Sequence, residues 1–418
     1  MGSSESDKDE NIDEYESIAG NRDSGVEAQG NDSEDGDERE GNDPHLNDDK
    51  SSEVDITILH LSLNLYTQDS PTSRFTLSSA TPHSTPNAPF LVIGRGTCGT
   101  VFEIQGTEFA LKKGSSKMAI WGDSQMTNTA CKAVVECKSL LEFHFPQLSV
   151  PRVPRVKDWA RDEDMDSWWD LHGHRFTKAQ DYDDDDKRGH VFCVQRILPL
   201  PKSTREALVR KYFPAEDVAL AVVEPENRDC LVRPYLGKCR SIRDVERPPL
   251  TLENYPLFLD QLIDIDVDVG QYAQEMALGL AVMHWRARLD GMDMEFVISS
   301  ATSEGELPSV VPDWRTSEAF VAASEDFKRR VTHLWVVDFD KAETIDLLVQ
   351  PGDTEQTIWN TFEEAYIKAA EIILDMDFRL GKHQRKALQR YPKQFVQEWK
   401  KTAQEQMDTE DGGFIQFA

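Results

Sequence analysis

The sequence has few basic residues for its length: 46 Lys and Arg stand against 76 Asp and Glu, a formal net charge of −30 over 418 residues. This argues against non-specific binding to nucleic acid or anionic membranes, because both require clustered Lys and Arg. No apolar run approaches the roughly 18 residues of a transmembrane helix. The first residues, MGSSESDKDE, lack the apolar region of a secretory signal. We therefore expect an intracellular protein, cytoplasmic or nuclear, with no nucleic-acid partner and no stable membrane association.

Cysteines are also scarce, with six in the chain. Without a secretory signal they are expected to stay reduced. No C-x2-C pair occurs, and an acidic insert at 181–188 divides the nearest group of zinc-ligand residue types, His172, His174, His190 and Cys193. We therefore expect no zinc site.

The acidic residues are concentrated at the start of the chain. Residues 1–50 hold 18 acids and 4 bases and almost no large apolar side chains, so they cannot bury enough surface to offset their ordering entropy. Residues 51–88 combine a weakly alternating apolar stretch, Ile56–Leu65, with prolines among Ser and Thr, which predicts a linker with one strand. We predict that residues 1–88 form an acidic disordered tail and linker. It would act either as a solubilising tail or as an interaction or phosphorylation segment.

The first residues match the N-myristoylation pattern, with Gly2 after Met1 and Ser6 in place. One acyl chain binds a membrane only marginally, and no polybasic patch or nearby cysteine supplies a second anchor. The pattern leaves modification of Gly2 open and does not change the expectation of no stable membrane association.

A glycine-rich stretch follows the predicted linker and reads FLVIGRGTCGTVFEIQGTEFALKKG from Phe90. Gly94, Gly96 and Gly99 match G-x-G-x-x-G, with Val101 two positions later. This pattern serves dinucleotide-binding folds when it opens a helix, and kinase nucleotide flaps when it joins two strands. The short apolar run Phe90–Ile93 predicts a first strand, and the residues after Gly99, which are β-branched and alternate, predict a second that ends at a turn over Gln105–Glu108. The alternative is an ordinary β-hairpin with glycines at its turn.

Lys112 ends a third predicted strand, which begins at Phe109. The whole arrangement resembles the protein-kinase-like fold: the match is to G-x-G-x-x-G-x-V, and Ala110-Leu111-Lys112 stands in place of the last three residues of V-A-I-K. The resemblance implies that the glycine loop closes over the phosphates of ATP and that Lys112 contacts them.

A kinase-like flap also requires an acidic partner for its lysine from the following helix. Residues 129–144 have apolar positions at helical spacing and carry Glu136 and Glu142. We predict that Glu136 forms an ion pair with Lys112. The alternative is that both acids are solvated on the helix surface.

The segments after this helix are predicted from their apolar patterns. Val191–Leu200 reads as a buried strand that continues into an extended linker between two lobes, and Cys230–Leu236 as a short strand near that linker. Tyr272–Trp285 has the spacing of an amphipathic helix, and His333–Asp340 begins as an apolar strand. The apolar stripes of residues 355–407 predict two or three helices.

Three acids stand where the resemblance implies the catalytic groups. Asp290 fits the base that accepts the proton of a substrate hydroxyl, and Glu295 stands where kinases have a metal-binding Asn. Asp338, which Phe339 follows, resembles the metal-binding Asp of the D-F-G segment. Glu295 and Asp338 would hold Mg²⁺ through their carboxylate oxygens.

Several positions depart from the kinase pattern. Arg288 and Leu289 replace the usual His-Arg before the catalytic Asp, Glu295 replaces Asn, and Asp340 replaces the Gly of D-F-G. A polar insert at 299–330 lengthens the spacing between the two aspartates. The departures leave two functions open: an ATP-dependent phosphotransferase, or a pseudokinase-like scaffold that binds partners without nucleotide turnover.

The stretch MHWRARLDGMDMEFVI, together with CLVRPYLG before it and LWVVDF after it, also resembles a fungal family of uncharacterised proteins that often carry a generic "zinc finger protein" label. The resemblance covers residues 90–375. It implies a fungal origin and supplies no established reaction.

The sequence therefore predicts an α+β, two-lobed protein-kinase-like fold behind the acidic tail. Residues 89–200 would form a small β-rich N-lobe, and residues 201–418 a mainly helical C-lobe with polar inserts. ATP and Mg²⁺ are the predicted ligands. The predicted partner is a protein or a small-molecule substrate whose identity the residues do not specify.

Overall fold

The structure, a computed structural model, describes residues 44–65, 88–96, 98–105, 107–159, 165–176, 188–241, 245, 248–291, 294–302, 330–337 and 353–407. Residues 1–43 and 66–87 of the predicted disordered tail and linker, 1–88, lie outside these ranges. Residues 44–50, predicted to be disordered, are helical. The described part is an α+β protein with two β-sheets and helices packed around them. No helix in these ranges has both the length and the apolar character needed to cross a membrane.

The first sheet has five antiparallel strands in the order β1-β2-β3-β5-β4. They are β1 (Leu91–Gly96), β2 (Gly99–Glu103), β3 (Phe109–Gly114), β4 (Val156–Trp159) and β5 (His190–Gln195). One face packs on a mainly aromatic core, which includes Phe90, Phe102, Phe109, Trp168, Trp169 and Phe176. The predicted order of strand, glycine turn, strand, turn and strand is confirmed.

The helix α2 (Lys117–His144) connects β3 to β4 and is 28 residues long. Its first turn is capped by Ser116, whose hydroxyl accepts a hydrogen bond from the Ala119 N–H at 3.2 Å. The sequence predicted a helix over 129–144 only. The observed helix therefore begins 12 residues earlier, and this difference decides which of its acids faces the first sheet.

The second sheet has four strands in the order β7-β6-β8-β9. They are β6 (Val232–Tyr235), β7 (Tyr255–Phe258), β8 (Glu295–Thr302) and β9 (Arg330–Val337). An extended linker leads from β5 to this sheet, where Leu198 bridges Ser300 of β8. Arg152, just before β4, bridges Trp335 of β9. Two connections from the first sheet are therefore bonded to the second.

The other helices pack around both sheets: the first of them, which carries Trp168 and Trp169, covers the aromatic core of the first sheet, and one π-helical turn is present. The remaining helices are α3 (Met165–His172), α4 (Lys202–Tyr212), α5 (Val218–Val223), α6 (Leu259–Asp264), α7 (Val269–Val282), α8 (Asp353–Met376), α9 (Lys382–Leu388) and α10 (Tyr391–Met407), and the π-helical turn Met283–Ala287 continues α7. α7 and α8 pack along each other and share one apolar core with the C-terminal half of α2. The strands and helices predicted for the C-terminal half are confirmed as elements. The predicted insert at 299–330 is wrong at its ends, because residues 299–302 belong to β8 and pair with the first residues of β9, which begins at Arg330.

The predicted strand at Ile56–Leu65 is wrong, because these residues belong to a helix, α1 (Pro44–Leu63), and its end. Asp55, Leu59 and Leu63 are buried at intervals of four, which is helical and not strand spacing. The Asp55 carboxylate binds Arg210 of α4 through contacts of 2.8 and 3.0 Å. Residues 52–65 are therefore packed against the body of the protein.

Candidate functional site

The glycine hairpin joins β1 to β2 and is tightly closed, because Gly96 pairs directly with Gly99. A Cβ added to Gly99 would lie 2.3 Å from the Lys113 carbonyl oxygen, so only glycine fits against the end of β3. A Cβ on Gly94 would meet nothing closer than the Val101 Cβ, at 4.0 Å. Packing therefore requires glycine at position 99. It does not require glycine at position 94, where the missing side chain leaves open space over the strand.

Lys112 lies on β3 opposite Val101 of β2. Its Nζ forms an ion pair with Asp123 Oδ2 at 2.7 Å, and the two side chains are 14% and 7% exposed. Thr127 Oγ1, one turn further along α2, donates a longer hydrogen bond of 3.4 Å to Asp123 Oδ1. The structure therefore holds a nearly buried lysine–aspartate pair behind the glycine hairpin.

The predicted ion pair between Lys112 and Glu136 is wrong. Glu136 lies 13 residues beyond Asp123 on α2, which is roughly 20 Å along the axis at 1.5 Å per residue. Its carboxylate instead pairs with Arg286 of the π-helical turn, at 2.5 Å from Nη2. Because α2 begins at Lys117, its early turns face β3, and an acid supplied by those turns reaches the lysine.

Lys113, the neighbour of Lys112, has a different environment. Successive strand residues point to opposite faces, so Lys113 enters the aromatic core, with its Nζ 5.2 Å from the centroid of the Phe176 ring and 5.8 Å from that of Trp169. The aliphatic stem of Lys113 is buried, and the ring faces stabilise its charge. The two lysines therefore lie on opposite faces of the sheet, and Lys112 is the one that contacts α2.

The loop that contains Asp290 is fixed by His284 of the π-helical turn. His284 Nδ1 lies 2.9 Å from the Tyr366 hydroxyl, and Nε2 lies 3.0 Å from the Asp290 carbonyl oxygen. Burial lowers the pKa of His284, which favours the neutral ring. Arg288 and Gly291 both have positive φ, 63° and 72°, so the chain turns sharply on each side of Asp290. The Asp290 side chain is exposed.

Glu295 is the first residue of β8 and pairs in register with Val337, the last residue of β9. Its carboxylate forms an ion pair of 2.7 Å with Arg233 of β6. Asp338 follows Val337 in the sequence and lies outside the described residues. Among the described residues, no group of three or more His, Cys, Asp or Glu side chains is placed to hold a metal ion.

A buried charge network joins β2 to the linker after β5, and sequence reasoning missed it. Glu103 accepts hydrogen bonds from Arg196 at 2.6 Å and Arg228 at 2.7 Å, and Arg196 also donates to Asp229 at 2.7 Å. The four charges cancel. The available signal was an arginine placed directly after the apolar strand VFCVQ, where it must either reach solvent or find a carboxylate.

The structure thus places the predicted nucleotide-binding residues Gly94, Gly96, Gly99, Val101 and Lys112 on three adjacent strands. Asp290 and Glu295 lie at the second sheet, in the loop before β8 and at its first residue. The extended linker and its bridge to Ser300 connect the two groups.

Comparisons with protein-family models, with curated proteins and with solved structures found no match to this chain.

Proposed function

We propose that the chain is a two-lobed protein-kinase-like protein that binds ATP between its two sheets. One observation carries the proposal: the nearly buried ion pair of Lys112 and Asp123 behind a glycine hairpin. A lysine held in this way keeps its charge, has a fixed direction and lies on the strand that follows the hairpin. These are the properties needed to contact the phosphates of a nucleotide.

The order of the elements supports the same proposal. A helix stands between the third and fourth strands of an antiparallel sheet, and an extended linker leads to a helical region. There α7 ends in the loop of Asp290, and the antiparallel pair β8 and β9 follows. In a kinase-like protein these positions hold the catalytic loop and the strand before the metal-binding Asp. Membership of the fungal family suggested by MHWRARLDGMDMEFVI remains a proposal on the sequence alone.

In an active enzyme, Lys112 would hold the phosphates, Asp290 would accept the proton of a substrate hydroxyl, and Asp338 with Glu295 would hold Mg²⁺. The Mg²⁺ ion would neutralise charge on the phosphates. Because Glu295 is paired with Arg233, it would have to leave this arginine to bind the metal. The substrate would be a protein or a small molecule with a hydroxyl group.

The same ion pair favours a second candidate, a non-catalytic scaffold. An arginine 2.7 Å from Glu295 supplies the positive charge that a metal would otherwise bring, so the site is electrostatically satisfied without Mg²⁺. A scaffold of this kind would keep the fold, and with it nucleotide or partner binding, while it lacks turnover.

The test is a thermal-shift titration of the full chain with ATP, with and without Mg²⁺. A ligand that binds only the native state adds roughly 2.7 kcal/mol of stability at one hundred times its Kd, which raises the Tm by several degrees. We expect this rise for wild type and not for Lys112→Met. Lys132→Met, an exposed lysine on α2, is the matched control. If ATP raises the Tm of Lys112→Met as much as that of wild type, the proposed site is wrong.

A second measurement separates the two candidates. Release of ADP is followed with Mg²⁺-ATP for wild type and for Asp290→Asn. If the protein is an active enzyme, wild type should release ADP and Asp290→Asn should not, while both proteins keep the ATP-dependent rise in Tm. Binding without turnover in either protein would support the scaffold.

A further inference from the structure

A second feature, separate from the nucleotide site, is a segment near the C-terminal end of the chain whose charged residues are all basic, with the acids Glu371, Asp375 and Asp377 just before it. Residues 378–397 contain six Lys and Arg and no Asp or Glu, in a chain whose net charge is −30. They cover the turn after α8, all of α9 and the start of α10. No side chain of α9 is buried. We call residues 376–393 the α9 surface.

The base of the α9 surface is built around Asp377, which is 1% exposed. Arg379 binds both of its carboxylate oxygens, at 2.8 and 2.9 Å. Arg286 and Arg288 approach the same carboxylate at 3.6 and 3.5 Å. The bond from Arg379 lowers the pKa of Asp377, so the carboxylate stays charged. Because Arg286 also pairs with Glu136, three arginines face two carboxylates, which leaves an excess of one positive charge, and Arg288 and Arg379 remain about half exposed.

The helix α9 is fixed to this base. Arg385 Nη1 donates to the Asp375 carbonyl oxygen at 3.2 Å, and Gln389 binds the Asp375 carboxylate. Lys382 and Lys386, on the same helix, are exposed. Lys382 and Lys386 are therefore presented by one short helix that is anchored to the base, so a partner need not order the helix when it binds.

Apolar side chains are exposed among these cations. Phe378 is 80% exposed, and Met376 and Tyr391 are 47% and 40% exposed. Arg390 stacks on the Tyr391 ring, with 4.9 Å between the guanidinium carbon and the ring centroid. Phe, Tyr, Met and Arg are the residues enriched at the centres of protein interfaces, with lysines more often at the rim or outside. The α9 surface has this composition.

We propose that the α9 surface binds an acidic segment of a partner protein, with carboxylates on Arg379, Lys382 and Lys386 and an apolar side chain on Phe378. Arg379 binds Asp377 through Nε and Nη2, which leaves Nη1 at the outer edge of its half-exposed guanidinium for a carboxylate of the segment. The cations follow an exposed helix and do not close around a single small anion. Nucleic acid is disfavoured because the chain as a whole repels an extended polyanion, whereas a short segment gains from local contact with Phe378. The inference is independent of nucleotide binding.

The experiment is a selection from a display library of random 16-residue peptides on the full chain. Counter-selection uses the variant Phe378→Ser with Lys386→Glu. A matched control, Val135→Ser with Lys132→Glu, makes the same two changes on the exposed face of α2. Circular dichroism confirms that both variants fold, and a labelled 20-nucleotide single-stranded DNA is titrated in parallel.

We expect enriched peptides with net negative charge and at least one large apolar residue. Their affinity should fall about tenfold or more in the α9 variant, as for loss of interface anchors, and stay unchanged in the α2 control. Three results would overturn the proposal: no enrichment over the counter-selected variant, enrichment of peptides without acidic residues, or tighter binding of the DNA than of any peptide. Self-association that Phe378→Ser abolishes would assign the surface to a second copy of the chain instead.

Discussion

The buried network around Glu103 allows one prediction to be worked out in detail. Glu103→Ala removes a carboxylate that is 5% exposed and binds two arginines. Arg196, itself 5% exposed, would then keep only Asp229 as an acidic partner, at 2.7 Å. A buried cation that loses part of its compensation cannot be rescued by water, so the substitution should destabilise the fold.

The expected decrease in the free energy of unfolding follows from the burial of Glu103 and Arg196. Removing one partner of a buried ion pair costs about 3–5 kcal/mol, and the remaining bond from Arg196 to Asp229 places the effect near 3 kcal/mol. With a denaturant slope of about 3 kcal/mol/M, the urea midpoint falls by about 1 M. Replacing both Glu103 and Arg196 by Met removes the two charges together and should cost less than Glu103→Ala alone.

Urea unfolding followed by tryptophan fluorescence measures these values. The matched control is Glu206→Ala, which removes a more exposed carboxylate that pairs with Lys202 and Arg210, and its cost should stay below about 1 kcal/mol. The network does not stabilise the fold if Glu103→Ala lowers the free energy of unfolding no more than Glu206→Ala does. The same conclusion follows if the double Met variant is the least stable of the three.

Three further predictions test separate parts of the structure. Gly99→Ala should lower the Tm, because the added Cβ would overlap the Lys113 carbonyl oxygen. Gly94→Ala should leave the Tm of the free protein unchanged and reduce only the increase in Tm that ATP causes. Equal losses of Tm in the two variants would contradict this. Leu59→Ala should cost about 3 kcal/mol in urea unfolding because Leu59 is fully buried, and no cost would mean that α1 is not packed. Burial raises the pKa of Glu275 from 4.5 to about 7, so the folded state holds its proton more tightly and stability falls as the pH rises from 4.5 to 7. Glu275→Gln should therefore be more stable than wild type by up to about 3 kcal/mol at pH 8 and equal to it below pH 4.5; a difference that does not change with pH would refute the assignment.

The local pattern of the sequence was sufficient for the first sheet. Alternation and glycine spacing predict β1, β2 and β3 and place Lys112 on the third strand, although this strand continues two residues further, to Gly114. The partner of this lysine was not predictable in the same way. Gly122 interrupts the helical pattern one residue before Asp123, so the first turns of α2 were not recognised and a later acid, Glu136, was chosen.

Long-range contacts account for the other differences. Leu59 and Leu63 become buried because α4 and the second sheet provide a surface for α1, and the short apolar stretch that contains them does not by itself report that surface. The network of Glu103 with Arg196 and Arg228 joins residues 93 and 125 positions apart. In the sequence, each of these three charged residues looks the same as a charged residue whose side chain is solvated.

The length of α2 has a thermodynamic consequence. Its 28 residues span roughly 42 Å. Near its start Ile120 is buried against the end of β3, and near its end Cys137 and Leu141 belong to the core of α7 and α8. One continuous helix therefore packs both on the first sheet and in the core of α7 and α8. Neither of these two halves of the structure can unfold without fraying a helix on which the other packs. The two halves should melt together, so calorimetry should record a single transition whose calorimetric and van't Hoff enthalpies agree.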